Sequence, residues 1–110
     1  MEEKITPILR TEDARASAQW YERLGFVTQW EHRFEPDLPL FVCVSRGPMQ
    51  IFLSEHHDDV RPDTLLYLHV DDVEAVAAEF GVAIEEAVWA REVHLKDPDG
   101  NRLRVGSARL

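Results

Sequence analysis

The 110-residue chain has room for one domain with a modest core, and its 45% apolar and 30% charged residues are typical of a soluble globular protein. A formal net charge of −9 argues against nucleic acid as a partner, and no apolar run approaches the roughly 20 residues of a membrane span. The lone Cys43 excludes an internal disulfide, and the polar N-terminus lacks a signal-peptide pattern, so we expect a cytoplasmic protein.

The first half of the chain is predicted to form a strand, a helix and three strands. Thr11 is the predicted N-cap of the helix, because acidic residues that suit the helix dipole follow it directly. Gly25 follows the last apolar position of the helix, where a left-handed residue commonly ends a helix. The predicted elements are strand 4–9, helix 12–24, and strands 27–33, 41–45 and 49–54.

The second half repeats this order after a polar stretch, residues 55–63, which is predicted to be a solvated linker. Strand 65–70, helix 71–81 and strand 82–88 precede a hairpin within 90–106, in which Asp97-Pro98-Asp99-Gly100-Asn101 is the turn. The chain is therefore predicted to be a single α+β domain. Two βαβββ modules, about 1–55 and 64–110, would form a curved mixed β-sheet.

The final hairpin resembles that of the vicinal oxygen chelate superfamily, which contains glyoxalases, dioxygenases and bleomycin resistance proteins. The segments Trp20-Tyr21-Glu22-Arg23-Leu24-Gly25-Phe26 and Trp89-Ala90-Arg91-Glu92 are similar to elements of the bleomycin resistance proteins. This resemblance implies a domain-swapped homodimer with two ligand grooves, each built from both subunits.

The same resemblance places the metal-ligand positions of the superfamily at Thr6, Phe52, Leu65 and Arg104. A weak oxygen donor, two hydrocarbons and a cation cannot hold a divalent ion, which needs converging nitrogen, oxygen or sulfur donors. We therefore expect no metal, no cofactor and no catalytic residue, and we favour a binding protein over an enzyme.

Strand alternation predicts which side chains share a face with these positions, because residues two apart point the same way. The shared face is mixed aromatic and polar. The residues that alternate with it along each strand are aliphatic, and they are predicted to pack under the helices. The shared face includes Ile8, Arg10, Gln50, Ser54, Tyr67, His69 and Arg102. The aliphatic set is Leu9, Ile51, Leu53, Leu66, Leu68, Leu103 and Val105.

Aromatic rings are the predicted ligand contacts, because flat heteroaromatic molecules stack on them and cations sit over their faces. Glu31, Glu35 and Asp37 are expected to add negative charge. Arg10, Arg102 and Arg104 are expected either to pair with acidic side chains or to bind an anionic ligand. The predicted ligand-binding residues are Trp30, Phe34, Phe52, Ser54, Leu65, Tyr67, His69, Trp89 and Arg104.

The function that this pattern favours is metal-independent sequestration of a bleomycin-type antibiotic, a small-molecule partner, by a homodimer. One alternative is a glyoxalase-like lyase or dioxygenase-family enzyme. Another is a small-molecule-sensing dimer. His69 near Asp71 and Asp72 could suggest a catalytic pair, but no nucleophile accompanies them, so a histidine in the wall of the cleft is favoured.

Overall fold

A computed structural model describes residues 3–33, 35–58 and 61–108 and confirms an α+β fold built from two βαβββ modules. The chain forms two compact units, unit 1 (Met1–Pro62) and unit 2 (Asp63–Leu110). Among the described residues, each unit has one helix and one four-stranded mixed sheet. Neither helix in the described residues is long and apolar enough to span a membrane.

Unit 1 has the strand order β1-β4-β3-β2, in which β1 is parallel to β4 and the other neighbours are antiparallel. Helix α1 packs on β2, β3 and β4, and its buried residues are Ala14, Ser17, Ala18 and Tyr21. The elements are β1 (Ile8–Arg10), α1 (Ala14–Glu22), β2 (Val27–His32), β3 (Phe41–Arg46) and β4 (Met49–Ser54).

Unit 2 repeats this topology with the order β5-β8-β7-β6, in which β5 is parallel to β8. Helix α2 packs on β7 and β8 and ends at Gly81, whose φ of 64° is left-handed. The elements are β5 (Leu65–His69), α2 (Val73–Phe80), β6 (Glu85–Glu86), β7 (Ala90–Lys96) and β8 (Arg102–Ala108).

The predicted hairpin turn between β7 and β8 is confirmed. Gly100 has a φ of 86°, and its N–H donates to the carbonyl of Asp97 over 3.0 Å. One carboxylate oxygen of Asp97 accepts the backbone N–H groups of Asp99 and Asn101 at 2.9 and 3.0 Å. The turn is therefore held by the side chain of Asp97 as well as by backbone pairing.

The first helix begins later than the sequence predicted. Asp13, not Thr11, is the N-cap, and its carboxylate accepts the N–H of Ala16 at 3.1 Å. Thr11 instead donates its backbone N–H to the carbonyl of Ser54 at 2.9 Å, which prolongs the pairing of β1 with β4. The cap prediction was wrong because Thr11 still continues the sheet pairing, so the helix begins only at Ala14 and Asp13 is the residue before it.

Two predicted strands are much shorter than expected. Strand 4–9 reduces to Ile8–Arg10, because Pro7 has no N–H and contributes only its carbonyl, which accepts from Phe52 at 2.9 Å. Strand 82–88 reduces to Glu85–Glu86, the outermost strand of its sheet, and Val88 is 90% exposed. Apolar composition alone does not provide the pairing partner that an edge strand needs.

The predicted linker is only partly solvated. The Glu55 carboxylate accepts the N–H of Ala14 at 2.8 Å and the N–H of Leu40 at 3.0 Å, and so it joins the start of α1 to the segment before β3. The His57 ring lies 2.7 Å from a guanidinium nitrogen of Arg10. The first residues after β4 therefore belong structurally to unit 1.

Candidate ligand-binding faces

The exposed face of the unit 1 sheet carries an aromatic cluster, which we define as Trp30, Phe41 and Phe52. The Trp30 ring stacks on Phe41 with 6.0 Å between centroids and lies 5.4 Å from Phe52. The rings of Phe41 and Phe52 are 5.1 Å apart. Trp30 is 44% exposed, so its indole is available to stack on a flat ligand.

Strand register explains why these rings converge. Phe52 lies opposite Cys43 on the neighbouring strand, and Trp30 pairs with Cys43 from the other side. Residues of the opposite parity, such as Val42 and Leu53, are fully buried on the side of the sheet that α1 covers. The aromatic cluster therefore occupies the face that the helix leaves open, as alternation predicts.

Two other predicted residues of the unit 1 face are buried and already bonded within the protein. Ser54 is fully buried, and its hydroxyl accepts the N–H of His56 at 3.1 Å. Arg10 is also buried, and it pairs with Glu12 at 3.1 Å besides its contact with His57. Phe34 lies outside the described residues.

Glu31 was expected to add negative charge to the ligand face, and this expectation is wrong. It follows Trp30 in β2, so its side chain points to the opposite face, where it pairs with Arg15 of α1 at 2.9 Å. The hydrogen bond from Arg15 holds the pKa of the Glu31 carboxyl below its ordinary value.

The exposed face of the unit 2 sheet carries Tyr67 and His69 on β5, whose rings are 4.7 Å apart. Trp89, which precedes β7, is 65% exposed. These three side chains line an open cavity of about 300 Å³ that also contacts Ala90 and Ala108. This volume is at the small end for a ligand site, and the lining is mainly apolar with few polar groups, as such sites usually are.

Beneath these rings lies a carboxylate whose role sequence reasoning missed. Glu92 is buried, and one of its oxygens accepts the Tyr67 hydroxyl at 2.8 Å and the Trp89 indole N–H at 3.3 Å. The other oxygen lies 3.5 Å from the His94 ring, which also approaches Glu85 at 3.1 Å. The pKa of Glu92 is below its ordinary value, mainly because the Tyr67 hydroxyl donates a hydrogen bond to the carboxylate. We call Glu92, Tyr67 and Trp89 the Glu92 network.

The Glu92 network links the stability of the fold to pH. Because folding lowers the pKa of Glu92, this contribution is present at neutral pH and is lost as pH falls from about 4.5 through the folded-state pKa. We expect Tyr67→Phe to raise that pKa and to lower the free energy of unfolding more at about pH 7 than at about pH 4. Carboxyl-carbon NMR titration and urea unfolding would measure the two effects. A loss of stability equal at both pH values would contradict the linkage.

The four expected metal positions do not fit a divalent ion. Phe52 and Leu65 offer hydrocarbon, Thr6 one hydroxyl and Arg104 a cation. Across residues 3–33, 35–58 and 61–108, no three His, Cys, Asp or Glu side chains are grouped so that they could hold a metal. The faces instead offer aromatic surface, hydrogen bonds and charge.

The residues that sequence reasoning missed could have been found from the hairpin register. The turn at 97–101 fixes His94 opposite Arg104 and Glu92 opposite Gly106. Alternation then places all four on the face of Tyr67, which pairs with Arg104 from β5. Phe41 lies opposite Ser54 and is assigned to the unit 1 face by the same argument.

Comparison with known proteins agrees with this architecture. A family model described as "Glyoxalase superfamily protein" matches residues 1–109. The fold is similar to a bleomycin-binding protein solved in complex with bleomycin, with 22% identity, coverage of 98% of this chain and 100% of that chain, and a TM-score of 0.76.

Two further solved structures share the fold. A bleomycin resistance determinant encoded on transposon Tn5 is 23% identical, with coverage of 99% and 100% and a TM-score of 0.71. TnmS3, an antibiotic binding protein from Streptomyces sp. CB03234, is 20% identical, with coverage of 99% of both chains and a TM-score of 0.73. No curated protein is significantly similar to the chain in sequence.

Proposed function

This chain belongs to the glyoxalase superfamily, and we propose that it binds a small aromatic molecule on its open sheet faces without a metal ion. The observation that carries the proposal is the placement of exposed rings on the faces that the helices leave uncovered, with Trp30 44% and Trp89 65% exposed. Large aromatic side chains are normally buried, so their exposure on two equivalent faces favours a binding role.

The ligand that we propose is a bleomycin-type antibiotic, which the protein would sequester by binding it without chemical change. Stacking on Trp30 and Trp89 would bind flat heteroaromatic rings, and the ionised Glu92 would favour a positive group nearby. Sequestration breaks no bond and therefore needs no metal ion. This agrees with the four expected metal positions, whose side chains do not fit a divalent ion. The bleomycin-binding protein that shares this fold supports the choice of drug class.

We propose further that the protein acts in the cytoplasm as a domain-swapped homodimer. Several apolar side chains are exposed in the single chain, among them Ile5 at 94%, Val27 at 59% and Val88 at 90%. Such exposure costs solubility unless a second surface covers it, and a second copy of the chain would do so. The grooves would then use both subunits.

Tryptophan fluorescence tests the proposal, because the chain has three tryptophans and two of them lie on the open faces. Titration of chelator-treated protein with metal-free bleomycin should give saturable quenching. Trp30→Ala and Trp89→Ala should each weaken binding about fivefold, since one aromatic contact contributes about 1 kcal/mol.

Trp20→Phe is the matched control, because Trp20 belongs to α1, which packs on the other side of the unit 1 sheet. It should leave the affinity unchanged. No saturable response to the drug would overturn the antibiotic assignment, whereas stoichiometric metal in protein purified without chelator would favour an enzyme.

A further inference from the structure

We propose that a second part of the unit 2 face binds an oxyanion, a carboxylate or a phosphate group. We define the basic pocket as His94, Lys96, Arg102 and Arg104, which line a cavity of about 260 Å³ at the turn end of the β7–β8 hairpin. The inference rests on the proposed function only in that an aromatic ligand would occupy the same sheet face.

Strand register forces these four side chains together. His94 lies directly opposite Arg104, and Lys96 lies directly opposite Arg102. Facing residues of an antiparallel pair have Cβ atoms about 5 Å apart, and residues two apart share a face. All four side chains are exposed. The pocket is therefore formed by two facing pairs of hydrogen-bond donors on the same face of the sheet.

The charges of the basic pocket are only partly neutralised. Arg102 pairs with Asp63 at 3.0 Å, and His94 approaches Glu85 at 3.1 Å. Among the residues that the structure describes, neither Lys96 nor Arg104 has an ion pair or a side-chain hydrogen bond. Like charges on facing strand positions repel. Lys96 and Arg104 lie at diagonal positions of the two facing pairs, and in a chain with net charge −9 these two cations indicate a site completed by an external anion.

The donor chemistry suits an oxyanion. Arg104 offers a planar fork that binds two oxygens at once, and Lys96 adds a point charge. Tyr67 pairs in register with Arg104 from β5. An aromatic acid could therefore rest its ring against Tyr67 while its acid group reaches Arg104.

The test uses phenylphosphate and benzoate as probes and benzyl alcohol as the uncharged analogue, titrated into the full-length chain and followed by amide NMR shifts. We expect at least one acid to bind at least tenfold more tightly than benzyl alcohol, and Arg104→Gln to remove that preference. The tighter of the two acids identifies phosphate or carboxylate as the group recognised. Equal binding of the alcohol, no binding of either acid, or unchanged binding by Arg104→Gln would overturn the inference.

Two further variants serve as controls for acid binding, and bleomycin quenching tests the proposed function separately. Arg33→Gln makes the same charge change in an exposed loop of unit 1 and should have no effect on acid binding. Arg102→Gln should have a smaller effect than Arg104→Gln, because Asp63 already neutralises Arg102. Bleomycin quenching that persists in Arg104→Gln while neither acid binds would overturn the oxyanion site alone. Acid binding without any bleomycin response would overturn the antibiotic assignment alone.

Discussion

Replacing Asp97 with alanine is expected to lower the free energy of unfolding by about 3 kcal/mol, because two or more buried donors lose their acceptor. Asp97 is 4% exposed, and Asn101, which it holds, is 1% exposed. The carboxylate of Asp97 accepts the backbone N–H groups of Asp99 and Asn101, and its second oxygen accepts the amide of Asn101 at 3.0 Å. The other end of that amide accepts the N–H of Thr64 at 3.2 Å, just before β5.

Urea unfolding measures this effect, and Asp37→Ala is the matched control because it removes an exposed acid in the unit 1 loop. Asp37→Ala should change stability by less than about 0.5 kcal/mol. Asp97→Asn should be intermediate, since it keeps one acceptor but presents an amide N–H₂ to that of Asn101. If Asp97→Ala were no more costly than Asp37→Ala, the turn would be held by its backbone alone.

The hairpin shows which part of the fold could be predicted from sequence. Its signals are local: Pro98 fixes one dihedral angle, Gly100 supplies a positive φ, and Asp97 bonds the backbone two residues on. The two glycines that end the helical segments, Gly25 and Gly81, are local signals of the same kind, and both have positive φ. Where one residue type determines one dihedral angle, sequence reasoning succeeds.

Features that depend on partners distant in sequence were harder to predict. Thr11 is not the cap because its pairing with Ser54 extends the sheet and the helix starts only at Ala14. The predicted strand 82–88 is short because only Glu85 and Glu86 pair with β7. Glu31 was placed on the ligand face although alternation from Trp30 assigns it to the other. Strand alternation excludes that placement, since the face of one residue fixes the face of the next.

Two of the predicted ligand contacts lie together in the structure, whereas the contacts that support them were not predicted. Tyr67 and Trp89 were expected as ligand contacts, and the structure places both beside one open cavity. Glu92 accepts from both side chains. The hairpin register assigns Glu92 to this face, but no residue pattern predicts that its carboxylate will be buried. Gly106 is the facing residue on β8, and a side chain there would collide with the Tyr67 hydroxyl that donates to Glu92.

Gly106→Ala is the second variant for which we expect a large effect, a loss of about 1–3 kcal/mol of stability from overpacking. A Cβ at this position would lie 2.2 Å from the Tyr67 hydroxyl oxygen and 3.1 Å from its ring carbon Cζ. Tyr67 would have to leave its place and release Glu92. We therefore expect the ring cavity to change shape and bleomycin quenching to weaken together with stability.

A double-mutant cycle separates this explanation from a backbone clash, because the new Cβ would also lie 3.2 Å from the carbonyl oxygen of Arg91. If Tyr67 is the obstacle, Gly106→Ala should cost much less in a Tyr67→Ala background, with a coupling of about 1 kcal/mol or more. An equal cost in both backgrounds would assign the clash to Arg91. The first result would mean that Gly106 is required for the close approach of Tyr67 to Glu92, and hence for the shape of the ligand face.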